Sequence, residues 1–137
     1  MTKRLAAERA TPVKDAPVIS VVDDDPAVVE AVVSLMESVG QAAVGFSSAE
    51  EYLRSPEAGR TACLVLDVRM PGMGGLELQR RLVADGDRTP IIFVTAHGDA
   101  DASTEALRLG AVAFLPKPFS EKSLLDAMRS ALESRAR

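Results

Sequence analysis

The sequence has no tryptophan, one tyrosine, one histidine and one cysteine, and aromatic residues make up only 4% of its 137 residues. A core without aromatic bulk must be filled by Val, Leu, Ile, Ala and Met, which suits a parallel sheet buried on both faces. The lone cysteine, Cys63, excludes an internal disulfide and has no second thiol with which to share a metal. Inside an apolar run it reads as a plain buried thiol. No run approaches the ~18 apolar residues of a membrane span, and residues 1–10 lack the apolar segment that secretion requires. No membrane contact is therefore expected, and a reducing, cytoplasmic setting is. Positive charge is also short. A net charge of -4 argues against nucleic-acid binding by this stretch, because phosphate contacts need clustered Lys and Arg.

What is present points to one folded domain of ordinary size. Apolar residues make up 47% and charged residues 26%, with no long charge block. Residues 1–17 are mixed in charge and carry Pro12 and Pro17, so they read as a flexible arm before a domain over residues 18–137. The domain alternates β-branched runs with helical periodicity. Strands are expected over residues 18–22, 42–46, 63–67, 91–95 and 112–115. Between them, Asp25 and Pro26 open a helix as N-cap and first helical residue. Val29, Val32, Val33 and Met36 line one face of it, and Gly40 ends it. Ser48 to Glu51 has the form of a capping box, on a brief helix that Pro56 and Gly59 close. Leu76, Leu78, Leu82 and Val83 mark a third helix, residues 101–109 a fourth, and Leu124, Leu125, Met128 and Leu132 a fifth that starts at Ser120. Five strands and five helices in strict alternation imply an α/β fold, a parallel sheet wrapped on both sides.

The chemistry gathers at the carboxyl ends of the strands, where open α/β sheets bind ligands. Asp67 ends its strand and is followed by Val68-Arg69-Met70-Pro71-Gly72-Met73-Gly74-Gly75, a break that neither strand nor helix tolerates. Asp23 and Asp24 follow the first strand, Thr95 the fourth, and Lys117 the fifth. If these strands are parallel and adjacent, three carboxylates, a hydroxyl and an ammonium meet on one rim. Two like charges ~4 Å apart repel by about 4 kcal/mol at an effective dielectric near 20, so three carboxylates need a cation. Three carboxylates and one ammonium leave two negative charges, which a divalent ion cancels. An all-oxygen set favours Mg²⁺.

These motifs, Val22-Asp23-Asp24, Leu66-Asp67-Val68-Arg69-Met70-Pro71, Val94-Thr95-Ala96-His97 and Lys117-Pro118-Phe119, resemble the response-regulator receiver domain of two-component signalling over residues 18–135. The wording of residues 67–75, with His97-Gly98-Asp99, is similar to the nitrogen-fixation regulator (FixJ-like) subfamily, whose members usually carry a helix-turn-helix output domain. No basic recognition helix occurs within these 137 residues, so direct nucleic-acid contact by this chain is not expected. The resemblance implies a flavodoxin-like, doubly wound sheet of order 2-1-3-4-5. It implies that Asp67 takes a phosphoryl group from the phosphohistidine of a histidine kinase, and that Lys117 pairs with Asp67 and then with that group. It further implies that Asp24, Asp67 and the backbone carbonyl of Arg69 ligate Mg²⁺, with Asp23 acting through a water. Thr95 and Phe114 would be the switch pair that changes the surface of the fourth helix, fifth strand and fifth helix, with a homodimer as one outcome. A cis Lys117-Pro118 bond is implied as well. The family's members phosphorylate themselves from small donors and lose the group slowly rather than turning over a substrate.

Each residue also has a plainer reading. Asp23 and Asp24 would suit a helix amino terminus, Asp25 is assigned to capping, Lys117 alone is a loop lysine, Thr95 a strand-end hydroxyl, Phe114 core, and His97 a loop residue without a proton-transfer role. The side chain of Arg69 is read as exposed, or as shaping access to the phosphoryl group. A haloacid-dehalogenase phosphatase also uses a strand-end Asp with Mg²⁺, but needs a general acid two residues on, where this chain has Arg69. A flavin-binding module would want a Ser/Thr-rich phosphate loop where Asp23-Asp24-Asp25 stands. Within the family, a receiver cut from a longer regulator or hybrid kinase is the alternative to a stand-alone protein.

Overall fold

The structure, a computed structural model, describes residues 17–96 and 100–136. The expected arm and His97 therefore lie outside the described residues, apart from Pro17. The strands are β1 (Val18–Val22), β2 (Ala43–Phe46), β3 (Thr61–Asp67), β4 (Ile91–Thr95) and β5 (Ala113–Pro116). The helices are α1 (Pro26–Ser38), α2 (Ala49–Leu53), α3 (Gly75–Ala84), α4 (Ala100–Arg108) and α5 (Glu121–Ala136). All strand pairs are parallel, in the order β2-β1-β3-β4-β5. This is the doubly wound arrangement expected from the alternation.

Side chains alternate across the sheet and divide the core in two. Leu64, Leu66, Ile91 and Phe93 face one layer, with Tyr52, Leu78, Leu82 and Ala106 from α2, α3 and α4. Cys63, Val65, Ile92 and Val94 face the other, with Val32 and Met36 of α1 and Leu124 and Met128 of α5. Every residue of β1, β3 and β4 is buried, the mark of central parallel strands. Cys63 is fully buried, and desolvation pushes its thiol up to about 12, so it is inert.

Several local expectations shift. The helix expected to run to Pro56 ends at Leu53, and Pro56–Gly59 forms a separate 3₁₀ turn. Strand β5 begins one residue later than expected and α4 one residue earlier. Ser48 Oγ accepts the Glu51 N–H at 3.0 Å, as a capping box requires. The return half is displaced by one residue, because Ser47 offers two donors to Glu51 Oε1, its N–H at 2.7 Å and its hydroxyl at 3.0 Å. Asp25 does cap α1, its side chain accepting the Ala27 N–H. A buried polar knot was not foreseen: Thr61 Oγ1 donates to the Glu57 carbonyl and accepts from Tyr52 Oη and Ser20 Oγ. All of its members have partners, which is the condition for burying them.

Candidate functional site

Strand register brings the predicted residues to one end of the sheet. Val22 lies beside Leu66, Asp67 beside Val94, and Thr95 beside Pro116. Pairing runs one residue past the strands on both sides, with the Asp23 N–H on the Phe46 carbonyl and the Lys117 N–H on the Thr95 carbonyl. Asp23, Asp24, Asp67 and Lys117 are thus carried on adjoining strand ends. Carboxylate oxygens of the three acids lie within 4.8 Å of one another.

Lys117 Nζ sits 2.8 Å from Asp23 Oδ2 and 3.8 Å from Asp67 Oδ1. Its closer partner is Asp23, whose side chain is 1% exposed and whose other oxygen accepts the Asp25 N–H at 2.9 Å. Asp24, by contrast, is exposed. Asp67 is buried, and its carboxyl is raised to about 6. Burial is the main cause and the charge of Asp23 the next, while Lys117 and the Arg69 backbone N–H pull the other way. The Lys117-Pro118 bond is cis.

The loop from β3 to α3 closes tightly around Asp67. The Gly75 N–H donates to the Val68 carbonyl at 2.9 Å, and a Cβ on Gly75 would come 2.2 Å from the Asp67 carbonyl oxygen. Only glycine fits there. The Arg69 side chain is exposed while Met70 is buried, so the loop turns one face to the core. Glu50 Oε2 accepts the Met73 N–H at 2.9 Å, a link that the capping-box reading of this segment did not anticipate. That N–H, the first cause, holds the Glu50 carboxyl below the usual range. Two adjacent glutamates in one first helical turn were the available signal, because a box uses only one.

Thr95 ends β4 and is buried. By alternation it shares a sheet face with Phe93, against which the half-buried Phe114 packs at a ring separation of 5.8 Å. The donor set is all oxygen and two of its three acids are buried, so the residues fit a hard divalent cation such as Mg²⁺.

The response regulator receiver domain family matches residues 19–129. The chain belongs to the receiver family of response regulators. Its relatives include the response regulator protein TodT of Pseudomonas putida, 48% identical over 118 residues, which cover 86% of this chain and 52% of TodT. The transcriptional regulatory protein FixJ of Azorhizobium caulinodans is 42% identical over 114 residues, 83% of this chain and 54% of FixJ. The crystal structure of FixJ-N superposes with a TM-score of 0.77 at 34% identity, over 85% of this chain and 94% of that one. The receiver thus spans about half the length of the curated relatives it matches. The likeness to FixJ-like regulators holds, and the fold is that of receiver domains. Among the described residues no helix is long and apolar enough to cross a membrane.

Proposed function

We propose that this receiver accepts a phosphoryl group on Asp67 from the phosphohistidine of a histidine kinase, and that the group is held as a signal. The observation that carries this reading is the meeting of three carboxylates and one ammonium on neighbouring strand ends. An Asp67 oxygen bonds to phosphorus while the bond from phosphorus to the donor nitrogen breaks, and the electron pair leaves with the imidazole. The product is an acyl phosphate.

Asp24, Asp67 and the Arg69 carbonyl would hold Mg²⁺, with Asp23 acting through a water. When bound, the ion supplies positive charge against the phosphoryl oxygens during transfer. Lys117 neutralises Asp23 and stands near Asp67 before transfer, and takes a phosphoryl oxygen afterwards. The Thr95 hydroxyl turns onto another, and Phe114 follows it inward, altering the α4-β5-α5 surface. The exposed Leu107 on α4 is an apolar contact available to a second copy. The haloacid-dehalogenase alternative has no support from the relatives, and Arg69 stands where its general acid is needed. Whether the domain acts alone or drives an output in a longer protein, its local chemistry is the same.

Acetyl phosphate and Mg²⁺ test this by intact mass. The parent gains one phosphoryl group and Asp67→Asn does not; equal labelling of both would remove Asp67 from its role. Beryllium fluoride, which imitates the acyl phosphate, is expected to shift sedimentation toward a dimer. An unchanged sedimentation coefficient would rule against dimer formation through the switched face.

A further inference from the structure

We propose that Glu50 is a positioning residue for phosphoryl acceptance, pinning the loop after β3 so that the Arg69 backbone keeps its place against Asp67 and the cation. The proposal rests on the reading of Asp67 as phosphoacceptor. Glu50 lies on α2, 23 residues before Met73, and it is a side chain of another element that reaches the loop tip. The tip is shaped to receive it. Gly72 has φ 75°, and a Cβ there would come 2.7 Å from Glu50 Oε2, so the turn packs directly on the carboxylate. At its other end the loop is closed by the Gly75 N–H on the Val68 carbonyl. Between these points, buried Met70 and half-buried Met73 root it in the core layer of α2, α3 and α4.

Arg69 stands between the two anchors, and its N–H donates to the Asp67 carboxylate. Freeing the tip therefore loosens a segment that touches the acceptor at its other end. Residues that orient a ligand set without joining it tune metal affinity in this manner. Glu51 is a matched control. It is the next residue in the same helical turn, yet its carboxylate is spent on Ser47 and does not reach the loop.

The full chain is compared as parent, Glu50→Ala, Glu50→Gln and Glu51→Ala. Calorimetry measures Mg²⁺ affinity before phosphorylation, and NMR hydrogen exchange follows the Met73 amide. Glu50→Ala is expected to weaken Mg²⁺ binding about tenfold and to speed exchange at Met73. Labelling by acetyl phosphate should lose more in Mg²⁺ half-saturation than in maximal rate. Glu50→Gln keeps an oxygen for the Met73 N–H and should recover most of the affinity; Glu51→Ala should match the parent. Parent affinity in Glu50→Ala, or a Gln variant as weak as the Ala one, would overturn the proposal. So would a Met73 amide that exchanges in the parent like an exposed loop amide, a result that needs no variant to fold. If the parent binds no Mg²⁺ and takes no label, the site reading itself fails and Glu50 falls with it. If the parent does both and Glu50→Ala equals it, only the positioning role fails.

Discussion

At neutral pH Asp67 holds a negative charge where burial and the neighbouring Asp23 both resist it, and its carboxyl titrates near 6 rather than in the usual carboxylate range. The folded state therefore binds this proton more tightly than the unfolded state does. By linkage, stability falls as pH rises from about 4 through 6, and the loss is complete above that. Asp67→Asn removes the charge. Without divalent metal it should be more stable than the parent at pH 7.5, with the gap closing as pH falls to about 4. Urea titrations at several pH values measure this, and a gap independent of pH would contradict it. Lys117 has the opposite effect, since it pairs at 2.8 Å with a carboxylate that is almost wholly buried. Lys117→Met leaves Asp23 with the Asp25 N–H and should cost about 3 kcal/mol. A loss near zero in the same titration would mean that water screens the pair.

Among the helices, α4 is the least rooted in the core. It buries only Ala102 and Ala106, where α5 buries Leu124, Ala127, Met128 and Ala131. Two polar links tie it to α3: the Arg80–Glu105 ion pair and Gln79 Nε2 donating to the Ala106 carbonyl at 3.0 Å. Gln79 Oε1 is buried without a partner among the described residues, so its amide serves this one contact. Few apolar contacts mean a low opening free energy, and the proposed rearrangement of α4 on phosphorylation would draw on this. Native-state hydrogen exchange should find α4 opening more readily than α1, α3 or α5; protection equal to that of α5 would count against a mobile signalling face. The loop from β3 to α3 is tied at both ends, by the Gly75 N–H on the Val68 carbonyl and the Met73 N–H on Glu50. Gly75→Ala would drive a methyl into the Asp67 carbonyl and should cost about 1–3 kcal/mol, slowing acetyl phosphate labelling as Asp67 shifts.

Taken as a whole, the molecule is a sheet whose strands are mainly apolar apart from the Ser20–Thr61 knot and whose carboxyl rim is charged, and the two were not equally legible. Central strands could be read because burial on both faces leaves continuous apolar runs such as residues 91–94. Boundaries slipped by one residue at β2, β5 and α4, where the sheet edge and helix end are only half-buried and apolar pattern weakens, and by two at the start of β3, where Thr61 and Ala62 precede the apolar run yet are buried. The site acids were legible because each stands at the end of a strand or just past it. Glu50 was marked only by being a second glutamate beside the one that a capping box uses, and Gln79 not at all, since a hydrogen bond to a residue more than twenty positions away leaves no local pattern and Gln79 sits between Leu78 and Arg80 like any surface position. Mg²⁺ should raise the thermal midpoint of the whole domain, because a ligand at about 100 times its dissociation constant stabilises by roughly 2.7 kcal/mol. Asp24→Ala should lose most of that shift in calorimetric scans; an undiminished shift would place the ion elsewhere.

The most direct test asks which carboxylate carries the phosphoryl group. Labelling with acetyl phosphate and Mg²⁺, trapping the acyl phosphate by borohydride reduction and mapping the peptides by mass should find Asp67 alone converted to the reduced alcohol. Conversion at Asp23 or Asp24, or at no aspartate in a chain that has gained the phosphoryl mass, would contradict it.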